Sequence, residues 1–159
     1  MDQSQEVPIE AFILRELRLN KTDDGVSLVP NAAMTIRAVL RLGHPALRQR
    51  AREIQDEVFG TQQLQTLIDD LLETKAARSG AGLAAPQIDQ PWRVVVVGMG
   101  ANPRYPQAPP VPERVLINPV ITPLGNETIA GWEGCLSVPG LRGEVERWQR
   151  IQLSWRDQE

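Results

Sequence analysis

The chain has a single cysteine, Cys135, and a single histidine, His44. One thiol cannot close an internal disulfide, so a reducing, cytoplasmic setting is expected. Structural zinc takes about four Cys or His ligands, and two candidates far apart in sequence do not supply them. Lysine is nearly as scarce. Lys21 and Lys75 are the two present, and the 15 arginines are spread without a basic block. With a net charge of −3, this argues against a general binder of nucleic acid or anionic membranes. Long hydrophobic runs are missing too. Stretches such as Val94–Val97 are far too short to span a bilayer. The opening "MDQSQEVPIE" is acidic and lacks the charged-then-apolar layout of a secretory signal.

What remains is the composition of one ordinary soluble domain, with 159 residues, 42% of them apolar and 23% charged. Residues 1–34 stand apart. "NKTDDGVSLVPN" is full of turn formers, and "AFILRELRL" could form a short helix or strand. A poorly ordered extension is expected there, with a compact domain over 35–159. The clearest helix is "TQQLQTLIDDLLETKAARSG". Leu64, Leu67, Ile68, Leu71 and Leu72 fall on one stripe, Thr61 can cap the start, and Gly80 can end it. "WRVVVVGMG" reads as a buried strand. "ANPRYPQAPPVPE" carries five prolines in 13 residues and predicts a surface loop. "RVLINPVITPL" predicts a strand that is either at an edge or bulged at Pro119. In "RIQLSWRD", Ile151, Leu153 and Trp155 alternate with polar residues. One good helix among short antiparallel or mixed strands is an α+β arrangement.

Two segments can carry chemistry. The first is "GWEGCLSVPG", where Cys135 lies in a turn between Gly134 and Ser137. Most lone cysteines are small buried hydrophobes. A turn position among polar neighbours also suits a nucleophile or a metal ligand. A nucleophilic cysteine needs a base, usually histidine, and His44 precedes a proline in what reads as a surface turn. The second is "GAGLAAPQ", Gly80 to Gln87. It can be a helix end and tight connection. It can equally be backbone lying close to an extended ligand, with the Gln87 amide able to donate and accept. Phosphate binding does not fit, because these glycines follow a helix and no lysine comes after them.

Together, "GAGLAAPQ" and "EGCLSVPG", in this order with a hydrophobic strand between, resemble the first two signature motifs of the peptide deformylases. The similarity also takes in "GHPALRQRA", "VLINPVI" and "RGEVERWQRIQLSWRD". These enzymes remove the formyl group from the N-terminal methionine of new polypeptides with the help of a divalent metal. The resemblance implies iron as that metal, with zinc or nickel as substitutes. It implies that Cys135 is the thiolate metal ligand. Gln87 and the backbone N–H of Leu136 would hold the formyl oxygen as it becomes an oxyanion. Gly82 would pair with the substrate backbone, and Arg142 would face the substrate chain. Glu133 and Arg147 would form a salt bridge bracing the cysteine turn. The implied partner is a formyl-methionyl peptide, met at the ribosome; composition points away from nucleic acid and membranes, and the oligomeric state is left open with a monomer favoured. Preorganised donors of this kind are worth about 2.7–4 kcal/mol each in barrier height.

The third family motif, a helix carrying H-E-x-x-H, does not occur in these 159 residues. That motif supplies two histidine ligands and the glutamate that moves the proton. The expectation is a C-terminally incomplete deformylase domain that alone holds no stoichiometric metal and is inactive. The stripe on the 61–78 helix is then expected to lack part of its cover. Two other readings remain: a non-catalytic module that binds a peptide or protein through the same groove, and an amidase with Cys135 as nucleophile.

Overall fold

The computed structural model describes residues 35–100 and 109–158, together with the backbone of Gln3–Pro8. The expected order of residues 9–34, including "AFILRELRL", and the loop over 101–108 lie outside the described residues. Gln3–Pro8 forms strand β1. The other elements are α1 (Gln62–Ala77), β2 (Gly82–Ala84), β3 (Val94–Met99), β4 (Val111–Pro123), β5 (Thr128–Cys135), β6 (Val138–Trp148) and β7 (Arg150–Arg156). They form an α+β fold. Five strands pair in the order β1-β7-β4-β3-β2, all antiparallel, and β5 and β6 form a separate two-stranded hairpin.

The uninterrupted valine run of β3 is explained by burial on both faces. Val94 and Val96 pack with Leu64, Ile68 and Leu71 of α1. Val95 and Val97 point the other way, onto Leu116, Leu153 and Trp155. A strand with one solvated face would alternate; this one has no such face. Helix α1 begins as its sequence predicts, with the Thr61 hydroxyl accepting the Leu64 N–H at 3.4 Å. The stripe is not left uncovered. Leu71 is 0% exposed, and Leu64 and Ile68 are buried beneath the sheet and Ile54. Leu67 and Leu72 pack at the edge of this core. The sheet covers the centre of the stripe, and Leu67 and Leu72 stay half-buried.

The proline-rich loop ends sooner than its composition predicts. β4 already starts at Val111 and includes Pro112. Its pairing with β3 is irregular between Val97 and Met99. Pro112 therefore sits where the ladder is interrupted, and its missing N–H forfeits no bond. Gly98, at φ +135°, makes the bulge possible, because a Cβ there would lie 2.4 Å from Glu113 Cα. Lys75 of α1 reaches this bulge. Its buried Nζ donates to the Gly98 carbonyl at 2.8 Å and to Glu113 Oε2 at 2.7 Å. Nothing in the helical pattern singles out Lys75, which lies beside the apolar stripe.

Of the two possibilities at Pro119, the bulge is the one found. β4 lies inside the sheet, and its register to β7 shifts between Ile117 and Val120. Asn118 takes a left-handed φ of 52° there. Its side chain spans the chain at Ile54, accepting the Ile54 N–H at 2.9 Å and donating to the Ile54 carbonyl at 2.8 Å. Asn118→Gly keeps the backbone angle and removes both bonds, so urea melts should show a loss of about 1–3 kcal/mol. Asn118→Ala should lose about 1–2 kcal/mol more, because alanine resists the left-handed region. Equal losses for the two variants would show that the backbone angle carries no cost.

Candidate active site

The hairpin β5–β6 leaves the sheet after β4 and returns to it through Gln149. Two backbone bonds close this junction, from Gln149 N–H to the Glu127 carbonyl and from Leu124 N–H to the Arg150 carbonyl, at 2.8 and 3.0 Å. Along its length the hairpin is exposed; Trp132 and Leu141 are 64% and 68% accessible. Its far end is a tight turn. Cys135 pairs with Val138, and Leu136 and Ser137 form the corner. This corner is the part that meets the core. The Leu136 side chain packs against the main cluster. Ser137 is buried, and its carbonyl accepts the Leu42 N–H at 2.8 Å.

Gln87 approaches the same corner from the other side. It lies in a short 3-10 turn, Ala85–Ile88, directly after β2. Its Oε1 accepts the Ala84 N–H at 2.9 Å, and its backbone carbonyl accepts the Leu40 N–H at 2.8 Å. With its oxygen held, the amide presents Nε2 to the hairpin. One contact goes to Ser137 Oγ at 3.1 Å and one to Cys135 Sγ at 3.6 Å. The two motifs, 48 positions apart at Gln87 and Cys135, are thereby brought into contact. The Ser137 link and the part played by Leu40 and Leu42 cannot be seen in the sequence. Each joins residues dozens of positions apart and leaves no local pattern.

Gly80, Ala81 and Gly82 wall one side of a cavity of about 650 Å³, and Leu136 and Val138–Arg142 wall the other, with Gln87 and Cys135 between them. The glycines serve packing as well as access. A Cβ on Gly80 would lie 2.8 Å from Leu136 Cδ1. A Cβ on Gly82 would lie 3.2 Å from the Val96 carbonyl, on the side of β3. The helix end expected at Gly80 comes one residue earlier, where Ser79 takes the left-handed angle. β2 is an edge strand of the sheet, and its Gly82 end borders the cavity.

On β5, Glu133 meets Arg147 of β6 through two bonds, Nε to Oε1 at 2.8 Å and Nη2 to Oε2 at 2.7 Å. The reach is diagonal across the hairpin. Glu133 stands opposite Gly143, and Arg147 opposite Ile129. Arg142 instead donates Nη2 to the Trp132 carbonyl at 2.9 Å. His44 caps a 3-10 turn, with Nδ1 accepting the Ala46 N–H at 3.3 Å, and does not line the cavity. The cysteine-nucleophile reading therefore loses its base.

The fold thus brings an edge strand, a held amide and an exposed thiol to one cavity. Known proteins share this framework. Residues 36–159 match the polypeptide deformylase family, and the chain belongs to that family. Peptide deformylase 1 of Prochlorococcus marinus is 53% identical over 119 residues, covering 74% of this chain and 61% of that protein. Peptide deformylase 1 of Nitrosomonas europaea is 50% identical, covering 74% and 65%. The chain thus spans less than two thirds of these relatives. Among solved structures, a Met-Ala-Ser-bound class I type b peptide deformylase from Acinetobacter baumannii aligns with a TM-score of 0.76 at 34% identity, covering 79% of each chain. That of Ehrlichia chaffeensis gives 0.68 at 27%, covering 78% and 70%.

The family implies a divalent metal. Among the described residues no three of the Cys, His, Asp and Glu side chains cluster to hold one. Cys135 is exposed and offers one thiolate. The described residues do not by themselves make a metal site.

The Arg147 hydrogen bonds hold the Glu133 carboxyl below its ordinary pKa, against a smaller opposing effect of burial, and Glu133 raises that of Arg147. A lowered folded-state value stabilises the fold above the ordinary glutamate range. That contribution is lost as acid takes the pH down through the lowered value. Both groups are largely solvated, so the pair is worth about 0.2–1 kcal/mol. A carbon-13 titration should find Glu133 below the usual glutamate range and moved up into it by Arg147→Ala. An unchanged titration in the variant would remove the pair as the cause.

Proposed function

We propose that this chain carries the substrate-binding and oxyanion-stabilising part of a deformylase acting on N-terminal formyl-methionine. The observation that supports this most is the Gln87 amide, fixed at both ends, with its Nε2 beside Cys135 and next to the edge strand β2. In this reading an extended peptide adds to the edge of β2, and Gly82 pairs with its backbone. Arg142 faces the peptide from the hairpin. When the formyl carbon becomes tetrahedral, its oxygen gains negative charge. Gln87 Nε2, exchanging its long contact to Cys135 Sγ for the oxygen while keeping Ser137, and the Leu136 N–H donate to that oxygen. The Glu133–Arg147 pair stiffens the strand that ends in Cys135.

Cys135 is proposed as one ligand of the family's divalent metal, with iron preferred and zinc or nickel as substitutes. The substrate proposed is a formylated nascent chain, met at the ribosome in the cytoplasm by a monomer. Among the described residues no helix is long and apolar enough to cross a membrane. Because these residues offer one thiolate, the 159-residue chain alone is expected to hold no stoichiometric metal and to release no formate. That same observation favours a second reading, a non-catalytic module that binds peptides through the groove.

Elemental analysis beside a formate assay tests both readings. The chain is compared with its fusion to the H-E-x-x-H segment of the Acinetobacter relative. The fusion should gain metal and activity together. In it, Cys135→Ala should lose the metal. Gln87→Ala should keep the metal and lower kcat by about 10²–10³-fold, as expected for one oxyanion donor. A folded, metal-loaded fusion that releases no formate would leave the binding module. Metal-dependent formate release by the 159-residue chain itself would overturn the expectation of inactivity.

A further inference from the structure

The chain is acidic overall, with 20 acidic and 17 basic residues. The cavity beside Cys135 is the opposite. Arg41, Arg78 and Arg142 line it, and among the described residues no aspartate or glutamate does. Arg142 belongs to the peptide-facing role already proposed. Arg41 and Arg78 come from two other parts of the chain, and each has a backbone held in place. Arg41 lies between two residues whose N–H groups donate at 2.8 Å, Leu40 to the Gln87 carbonyl and Leu42 to the Ser137 carbonyl. Arg78 is the C-cap of α1, with its N–H on the Thr74 carbonyl at 3.1 Å. Both are exposed. Neither forms an ion pair among the described residues. Two guanidinium groups carried on a held backbone around one cavity, without a counter-charge on its walls among the described residues, raise the local concentration of an anion. They also offer forked donors to a carboxylate. A free α-ammonium is disfavoured in the same field, whereas a formylated terminus is neutral.

We propose that Arg41 and Arg78 are specificity residues that favour peptides carrying an acidic side chain downstream of the formyl-methionine. This rests on the deformylase reading of the groove. The chemistry they recognise is a carboxylate, which a side chain or a peptide C-terminus could each supply. In a nascent chain it is the side chain.

Calorimetry in EDTA-containing buffer separates the possibilities, using the 159-residue chain and three peptides. These are formyl-Met-Ala-Glu-amide, formyl-Met-Ala-Gln-amide and formyl-Met-Ala-Gln free acid. The Glu amide should bind about 3–10-fold more tightly than the Gln amide at low ionic strength, with the difference shrinking towards parity in about 1 M salt. Arg41→Glu with Arg78→Glu should abolish or invert the preference while leaving the Gln amide bound. Both sites are exposed, and circular dichroism verifies the fold. Equal binding of the two amides overturns the specificity and leaves the peptide groove standing. A preference that survives both reversals overturns it as well. A gain for the free acid but not for the Glu amide assigns the arginines to chain termini and overturns the proposal for a nascent chain. Failure of every peptide to bind removes the groove reading itself.

Discussion

The site depends on one corner of backbone, the Leu136–Ser137 turn. Three contacts fasten it. The Leu136 side chain enters the core close over Gly80, the Ser137 carbonyl accepts the backbone N–H of Leu42, and the Ser137 hydroxyl accepts from the Gln87 side-chain amide. Those contacts set the place of Cys135, the residue just before the corner. They also couple the two motifs, since Gln87 is gripped by β2 on one side and by the corner on the other. Apolar burial positions the turn, and the polar bonds choose its orientation within that position.

The main sheet does its part through irregularity. A regular β4 would carry its prolines into intact ladders on both sides. Instead Pro112 and Pro119 each fall at a bulge, and each bulge is tied to a distant element. Gly98 and Lys75 hold the first to α1, and Asn118 holds the second to Ile54. The segment Thr35–Ile54 has little regular structure of its own. Its placement beside the cavity relies on such side-chain and backbone links, including those at Leu40 and Leu42.

Much of this architecture is legible in the residues themselves. The period of Leu64 to Leu72 locates α1 and its Thr61 cap, the alternation in 150–156 locates β7, and the valines locate β3. The motifs name residues that meet at one cavity, and the Glu133–Arg147 pair expected from the resemblance is present. What cannot be read is what depends on sheet neighbours. Proline excludes only a regular interior strand, so an edge and a bulge satisfy the sequence of β4 equally well. An apolar stripe announces that α1 needs a partner without saying which, and the sheet is as good an answer as another helix. Lys75 and Asn118 look like surface residues in sequence. Their buried bonds run to positions 23 and 64 residues away.

The hairpin is secured at both ends, at the corner by Ser137 and at the sheet by the paired bonds of Leu124 and Gln149. Mechanically it is a beam on two supports and not a cantilever. A flap free at its tip would swing the thiol through an arc. A beam held at both ends bows at mid-span, near Trp132 and Glu144, while its ends stay put. Any bending of β5–β6 would therefore fall on the exposed middle, with the thiol near a node.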